Sequence, residues 1–244
     1  MKAKVRAPYF ETGVKCYIYG EKVIKYAKAC DEVAGKYDID VIFIAPYTEI
    51  HTIREQTEHL IVLAPYMDCI RPGRGMGMVL PEALKAAGAQ GVLMNHCEKP
   101  MTLNAIKKTI ERANELDMLS FVCADSVVEA EAIALMHPDI INPEPSEYIG
   151  SGTAVDMEFV LECLKGIKAI DSKILVEPAA GISCGQDVYD FIYAGVDAVG
   201  SASGILNSPD PYAMLDEMVS NVRKAYDDRM KNRSHKLPER SMQL

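Results

Sequence analysis

The sequence predicts a single closed (β/α)8 barrel of eight parallel strands that takes up residues 1–244. Eight short apolar runs alternate with helical patterns over nearly the whole chain, and no linker or change of composition divides them. The runs are continuous rather than alternating, which is typical of parallel strands covered by helices. An open doubly wound sheet is the alternative. That fold usually has a glycine-rich dinucleotide fingerprint after its first strand, and Gly13-Val14-Lys15-Cys16-Tyr17 is not one.

The elements follow from the spacing of the apolar residues. The predicted strands are 9–15, 41–45, 60–64, 91–95, 119–123, 140–143, 174–177 and 198–200. The predicted helices are 21–37, 102–116, 126–136, 157–170, 186–194 and 211–230, with weaker patterns at 48–55 and 81–87. Asp125 or Ser126 should cap the helix that follows it, and Asp210-Pro211 should begin the last one. The charged residues 232–244 are predicted to form a frayed tail.

Composition excludes several classes of partner. The 244 residues are 49% hydrophobic and 25% charged, which is ordinary for a globular protein. A net charge of −9 argues against nucleic acid or an anionic membrane as a partner. Seven scattered cysteines without a C-x-x-C pair argue against a disulfide framework or a zinc site. With no apolar run of about 20 residues and no signal-peptide pattern at the start, we expect a cytoplasmic, membrane-free protein.

Three polar residues stand at the carboxyl ends of predicted strands, where (β/α)8 barrels carry their chemistry. Lys15 follows the first strand, His96 the fourth and Glu144 the sixth. Together they offer a cation, an electrophile and a base. Each alone has an ordinary interpretation: a solvated lysine, a histidine that caps a turn, an exposed glutamate in a connection. Their coincidence at three strand ends favours a catalytic site.

Two further motifs support such a site. After Glu144, a proline-pinned loop closes on Gly150-Ser151-Gly152, as a lid with its own hinge residues would. Ala180-Gly181-Ile182-Ser183 follows the seventh strand, and the run from Gly200 to Gly204 follows the eighth. Small residues at these two positions let backbone N–H groups converge on a phosphate, although many Gly/Ser loops are only turns.

These motifs resemble the triosephosphate isomerase family in its compact archaeal form, from about residue 15 to the last helix. Residues 80–98 are similar to the family's run into its catalytic histidine, and residues 144–152 to its catalytic glutamate and lid. Gly181-Ile182-Ser183 and Ala202-Ser203-Gly204 are similar to its two phosphate loops.

The resemblance implies an aldose–ketose isomerase of glycolysis and gluconeogenesis that needs no metal or cofactor. Glu144 would move the proton, His96 would polarise the carbonyl, and Lys15 would oppose the enediolate and phosphate charge. The implied substrate contacts are Gly13, Lys15, Ile149, Gly150, Gly181, Ser183, Ala202, Ser203 and Gly204. The partner would be a small phosphorylated sugar, most simply glyceraldehyde 3-phosphate and dihydroxyacetone phosphate, and the assembly a homodimer or homotetramer.

Four positions depart from the family pattern. Gly13 replaces an asparagine, Cys97 replaces a serine, Met76 replaces an interface threonine, and Ala64-Pro65 replaces polar residues after the third strand. The loss of the asparagine amide leaves room beside the lysine. The sequence therefore keeps open an isomerase of a larger ketose phosphate, such as a tetrulose phosphate, and a phosphate-binding homologue without turnover. A barrel synthase would need further acid–base residues at other strand ends, and the sequence offers no convincing set.

Overall fold

Eight parallel strands form the inner wall of a barrel, as the sequence predicts. The computed structural model describes residues 1–235. The strands are Tyr9–Gly13 (β1), Asp40–Ile44 (β2), Leu60–Ala64 (β3), Gly91–Met94 (β4), Leu119–Ala124 (β5), Ile140–Pro143 (β6), Leu175–Val176 (β7) and Ala198–Gly200 (β8). Each strand pairs with the next from β1 to β7, and β1 pairs with β8. The N–H of Asp197 donates to Val176 (3.1 Å) and that of Gly200 to Pro178 (3.1 Å), which joins β7 to β8.

The helices lie between the strands and cover the outside of the barrel. They are Glu21–Tyr37 (α1), Ile50–Gln56 (α2), Pro81–Ala86 (α3), Leu103–Glu115 (α4), Val127–Ala134 (α5), Met157–Ile170 (α6), Gly185–Ala194 (α7), Ser203–Leu206 (α8) and Pro211–His235 (α9). The short α8 is an addition to the sequence prediction. Of the two cap candidates for α5, Asp125 and Ser126, Ser126 is the one observed, because its side chain accepts from the N–H of Glu129. Asp210-Pro211 begins α9 as predicted, and Oδ1 of Asp210 accepts from the N–H groups of Tyr212 and Ala213. Of the predicted frayed tail, 232–235 belong to α9 and 236–244 lie outside the described residues.

The apolar core has two parts, one inside the barrel and one between the barrel and its helices. Along β1, Phe10 faces the helices, whereas Tyr9 packs inside the barrel with side chains such as Ile42 and Phe121. Glu11 and Gly13 share the inward side with Tyr9, because side chains alternate between the two faces of a strand. The inside of the barrel therefore carries polar side chains as well as apolar ones.

Four strands end earlier than predicted: β1 by two residues, and β2, β4 and β7 by one each. The early ends of β1 and β7 affect the site. β1 ends at Gly13, so Lys15 lies in the turn after it, with a positive φ of 44°. β7 is only Leu175–Val176, which leaves Glu177 just beyond its end. Among residues 1–235, no helix combines the length and apolar composition needed to cross a bilayer.

Candidate active site

A cavity of about 820 Å³ opens at the end of the barrel where the carboxyl ends of the strands meet. This volume lies toward the upper end of the roughly 300–1,000 Å³ that is usual for small-molecule sites. The predicted site residues that line it are Gly13, Lys15, His96, Glu144, Ile149, Gly150, Gly181, Ala202 and Ser203. Ser183 and Gly204 are not in its wall. The structure thus brings most of the predicted residues into one place.

His96 is held as a neutral imidazole by the turn that carries it. Its Nδ1 accepts a hydrogen bond from the backbone N–H of Glu98 (3.1 Å), so the ring proton of the neutral form is on Nε2. Burial and then the charge of Lys15 lower the pKa of His96. The preceding Asn95 has a positive φ of 59°, and its side chain donates to the carbonyl of Cys123 (2.9 Å). The ring is therefore fixed as an Nε2–H donor toward the cavity.

Glu144 lies opposite this donor. Its Oε2 is 3.6 Å from Nε2 of His96 and accepts a hydrogen bond from the Asn142 amide at 3.2 Å. The carboxyl side chain is only 9% exposed. Burial raises the pKa of Glu144 to about 7, and the charge of Lys15 opposes part of that rise. A carboxyl group with this pKa can be ionised near neutral pH and still be a strong enough base to accept a proton.

Lys15 completes the charged part of the site. Its Nζ forms an ion pair with Glu98 at 2.8 Å. Burial alone would lower the pKa of Lys15, but the hydrogen bond and charge of Glu98 outweigh it and raise the pKa. The ammonium group is thus charged at neutral pH, and it lies close enough to Glu144 and His96 to shift the pKa of both.

The segment after Glu144 forms the wall that the sequence predicts as a lid. It passes through a 3₁₀ turn, Ser146–Tyr148, and then through Gly150 and Gly152, whose positive φ values are 72° and 74°. The carbonyl of Gly152 accepts a hydrogen bond from the Ser183 hydroxyl (3.2 Å). Ile149 and Gly150 of this segment line the cavity.

One side chain outside the cavity joins the loops that carry His96 and Glu144. The Glu129 carboxyl accepts from the Asn95 amide at 3.0 Å and from the N–H of Asp125 at 2.8 Å. The carboxyl of Asp125 in turn accepts from the N–H of Ser146 at 2.6 Å, at the start of the lid segment. The ends of β4, β5 and β6 are thereby linked through Glu129.

The loops after β7 and β8 present unpaired backbone N–H groups. In residues 1–235, the N–H groups of Gly181, Ala202, Ser203 and Gly204 donate to no protein acceptor. A Cβ at Gly181 would collide with the Thr153 carbonyl, so only glycine lets this loop meet the lid segment.

The structure separates Ser183 and Gly204 from the other loop residues. The Ser183 N–H is occupied by the carboxylate of Asp187 (2.9 Å), which caps α7. Gly204 lies under the cavity wall, where a Cβ would collide with the carbonyl of Ile182. Both residues therefore pack the β7 and β8 loops against each other.

The sequence analysis missed the polar floor of this cavity. Glu11 and Asn142 line it from β1 and β6, with Cys123 beside them. Glu177 lies next to this floor and is fully buried. The sequence does indicate Glu11, because it lies two residues from both Tyr9 and Gly13 and so points into the barrel with them. A charged residue at such a position, where apolar residues are usual, is a sign of a polar interior. In the described part of the chain, no group of three or more His, Cys, Asp or Glu side chains could hold a metal ion.

Comparison with known proteins decides the family. A sequence model described as triosephosphate isomerase matches residues 10–191. The chain belongs to the triosephosphate isomerase family. Proteins named triosephosphate isomerase from Sulfurisphaera tokodaii and Sulfolobus acidocaldarius are 36% and 34% identical to it, each over 86% of this chain and 92% of the relative. The one from Methanothermus fervidus is 34% identical over 83% of this chain and 92% of its own length.

Membership confirms the predicted fold and the predicted reaction class, an aldose–ketose isomerase. The departures from the triosephosphate isomerase pattern can now be placed. Met76 lies in a loop that projects from the barrel and is fully exposed at 102%. Gly13 faces the cavity, and a Cβ there would lie 3.0 Å from Cβ of Ile44 and 3.6 Å from Oε1 of Glu11. The space left by the asparagine is therefore bordered by a carboxyl group.

Proposed function

We propose that the chain interconverts glyceraldehyde 3-phosphate and dihydroxyacetone phosphate through an enediolate. The observation that carries the proposal is the facing pair, Glu144 and the Nε2–H of His96, with 3.6 Å between Oε2 and Nε2. A base and a neutral donor this close together can both reach one substrate that lies over them, the base at a carbon and the donor at the carbonyl oxygen. The names of the relatives support the choice of a triose phosphate.

The reaction needs one proton to move between neighbouring carbons. Glu144 takes the proton from the carbon next to the carbonyl group, while His96 donates a hydrogen bond to the carbonyl oxygen as its negative charge grows. Lys15 opposes that charge. The protonated Glu144 then returns its proton to the adjacent carbon, while His96 passes a proton between the two oxygens, so that the former carbonyl oxygen becomes the hydroxyl and the former hydroxyl oxygen the carbonyl. Fixed donors in a water-poor site stabilise the enediolate without the reorganisation that water would need.

The phosphate group is assigned to the β7 and β8 loops. The free N–H groups of Gly181, Ala202 and Ser203, which line the cavity, are neutral donors of the kind that surround an oxyanion, and Gly204 would support them from beneath. Ile149 and Gly150 would complete the contact from the lid segment, as Gly13 and Lys15 would from the β1 side. Ser183 would exchange its bond to Asp187 for one to the phosphate. A closed lid excludes water and so opposes loss of phosphate from the enediolate.

A phosphate-binding protein without turnover is disfavoured by Glu144. Burial of a carboxyl group lowers stability unless hydrogen bonds or charges compensate for it. A chain that keeps such a group in a cavity therefore has a use for it. A pure anion-binding site gains nothing from a base of pKa about 7. Retention of this group beside His96 and Lys15 supports catalysis.

We also propose a cytoplasmic homo-oligomer. All seven cysteines are free, as expected in a reducing compartment. Met76, Met78, Tyr17 and Tyr19 are exposed on the loops after β1 and β3, and apolar side chains on one face suit a second copy of the chain. Light scattering on size-exclusion fractions should show a dimer or tetramer, and Met76→Asp should lower its mass. A monomer at micromolar concentration would refute this assembly.

The test of the isomerase is a coupled assay in both directions on the purified protein. Glu144→Asp withdraws the carboxylate by about one methylene, so kcat should fall on the order of 100-fold with a smaller change in KM. Glu111→Asp, on the exposed face of α4, is the matched control. No turnover of either triose phosphate would refute the proposed function, and a near-normal kcat in Glu144→Asp would remove this residue from the mechanism.

A further inference from the structure

The floor of the cavity contains buried polar atoms without protein partners. Asn142 is 4% exposed and lines the cavity, yet its Oδ1 makes no hydrogen bond to any described residue. Both carboxyl oxygens of the fully buried Glu177 are unpaired in the same way. The carboxyl of Glu11 also lines the cavity, and it accepts no hydrogen bond within residues 1–235.

Such atoms are rare in folded proteins, because an unpaired buried polar group lowers stability. Asn142 Oδ1 and the Glu11 carboxyl face one cavity without protein partners among residues 1–235, which indicates a place where a ligand supplies them. The proposed mechanism uses neither of these groups: only the amide nitrogen of Asn142 contacts Glu144, and Glu11 lies below the reacting residues. The floor is therefore a candidate binding surface of its own.

Two glycines give a ligand access to these groups. Gly13 faces the cavity directly above Glu11, where a side chain would begin 3.6 Å from the carboxyl oxygen. Gly200 lies between the two carboxyl groups: a Cβ there would collide with Glu11 and would lie 2.9 Å from Oε1 of Glu177. Because neither position has a side chain, the cavity extends below the reacting groups as far as Glu11.

The chemistry of the floor selects the ligand. The carboxyl groups of Glu11 and Glu177 are neighbours across Gly200, and two such groups cannot both be ionised in a buried site. Burial and the charge of Glu144 raise the pKa of Glu11 to about 8, and that of Glu177 is raised by burial and by Glu11. A protonated carboxyl group both donates and accepts hydrogen bonds, and the amide oxygen of Asn142 accepts them. They suit hydroxyl groups better than cations or anions.

We propose that Glu11 and Asn142 form a hydroxyl-binding subsite that admits sugar phosphates longer than a triose by one hydroxylated carbon. The inference rests on the proposed function, since it places the phosphate at the β7 and β8 loops and the reacting carbons between Glu144 and His96. A three-carbon chain ends at the reacting carbons. A fourth carbon, attached to the reacting carbon farther from the phosphate, directs its hydroxyl group down to Glu11, and Glu177 lies behind Glu11. In such a substrate both reacting carbons are internal, so the same proton transfer interconverts a 2-ketose and a 3-ketose phosphate.

The experiment compares kcat/KM for the triose phosphates with that for four-carbon 2-ketose and 3-ketose phosphates of both configurations. The unaltered protein should turn over at least one four-carbon compound. Glu11→Leu should lower the ratio of four-carbon to three-carbon kcat/KM at least tenfold, because it removes the partner of a hydroxyl group. Glu11→Gln, which keeps a polar head of the same size, should lower the ratio less. Glu111→Gln is the matched surface control.

The outcomes separate this inference from the function on which it rests. Turnover of triose phosphates without any four-carbon substrate would overturn the subsite and leave the isomerase intact. Loss of both activities in the unaltered protein would refute the proposed function itself. An unchanged ratio in a folded Glu11→Leu variant would also overturn the subsite. If Glu11→Leu fails to fold by circular dichroism, Asn142→Leu tests the same ratio from the other side of the floor.

Discussion

Replacing Glu11 by glutamine should make the stability of the protein less dependent on pH. The pKa of Glu11 is about 8 in the folded chain, against an ordinary value of 4.5. Between these two pH values the folded chain keeps a proton that the unfolded chain has released. The free energy of unfolding therefore falls as pH rises through this window, and the loss is complete above the folded pKa.

The size of the effect follows from the same two pKa values. At about 1.4 kcal/mol for each pH unit, the cost of keeping Glu11 buried grows by up to about 5 kcal/mol between pH 4.5 and pH 8. Glutamine has nearly the same shape and no proton to release. Glu11→Gln should therefore gain stability relative to the unaltered protein as pH increases, by several kcal/mol across the window.

Urea unfolding followed by circular dichroism at about pH 5.5, 7 and 8.5 measures this difference. The difference between the free energies of unfolding of the two proteins at each pH no longer contains the contributions of titrating groups far from the floor. Glu111→Gln, which replaces an exposed glutamate, should show a difference that does not change with pH. A Glu11→Gln difference that stays constant within about 0.5 kcal/mol over this range would refute the claim that Glu11 is buried with its proton.

Three further predictions concern turnover and anion binding. Because Glu144 must be ionised to act, kcat/KM should rise with pH and level off above about 7; a flat profile from acid to neutral pH would contradict this. Lys15→Ala should abolish turnover and weaken phosphate binding in calorimetry while the fold persists. An unchanged phosphate affinity would show that the phosphate does not bind beside Lys15. Gly13→Asn should raise the preference for triose over four-carbon phosphates. Its Cβ lies 3.0 Å from Cβ of Ile44, so Gly13→Ala, with the same Cβ and no amide, is the control; equal ratios in the two variants would show that the amide has no effect.

The sequence was sufficient for the barrel and for the residues at its rim. Eight apolar runs and their helical partners follow from periodicity alone, and the strand ends gave Lys15, His96 and Glu144. The four-residue α8 could not be found this way, because one turn of helix has no apolar period. Lys15 was predicted at the carboxyl end of the strand 9–15, whereas β1 ends at Gly13 and Lys15 lies in the next turn with a positive φ. A positive φ in a non-glycine residue has no reliable sequence signal.

The interior of the barrel was harder to predict, because it depends on which side of each strand a residue faces. The run 9–15 was interpreted as a continuous apolar strand, so the inward position of Glu11 was overlooked. Glu177 lies beyond the short β7, and only the closed barrel brings it next to Glu11. Ser183 was predicted in the cavity wall because its neighbours are there, whereas the capping carboxylate of Asp187 engages its N–H.

The hydrogen bonds of Glu129 have a consequence for how substitution data on this protein should be interpreted. Glu129 lies in the first turn of an outer helix, yet it ties the turn before His96 to the residue that anchors the lid segment. In a scan of random substitutions scored by activity, Glu129 would fall among the residues intolerant of change. Distance from the cavity would then be a poor guide to importance. The intolerant positions would follow this chain of hydrogen bonds and not a sphere drawn around the substrate.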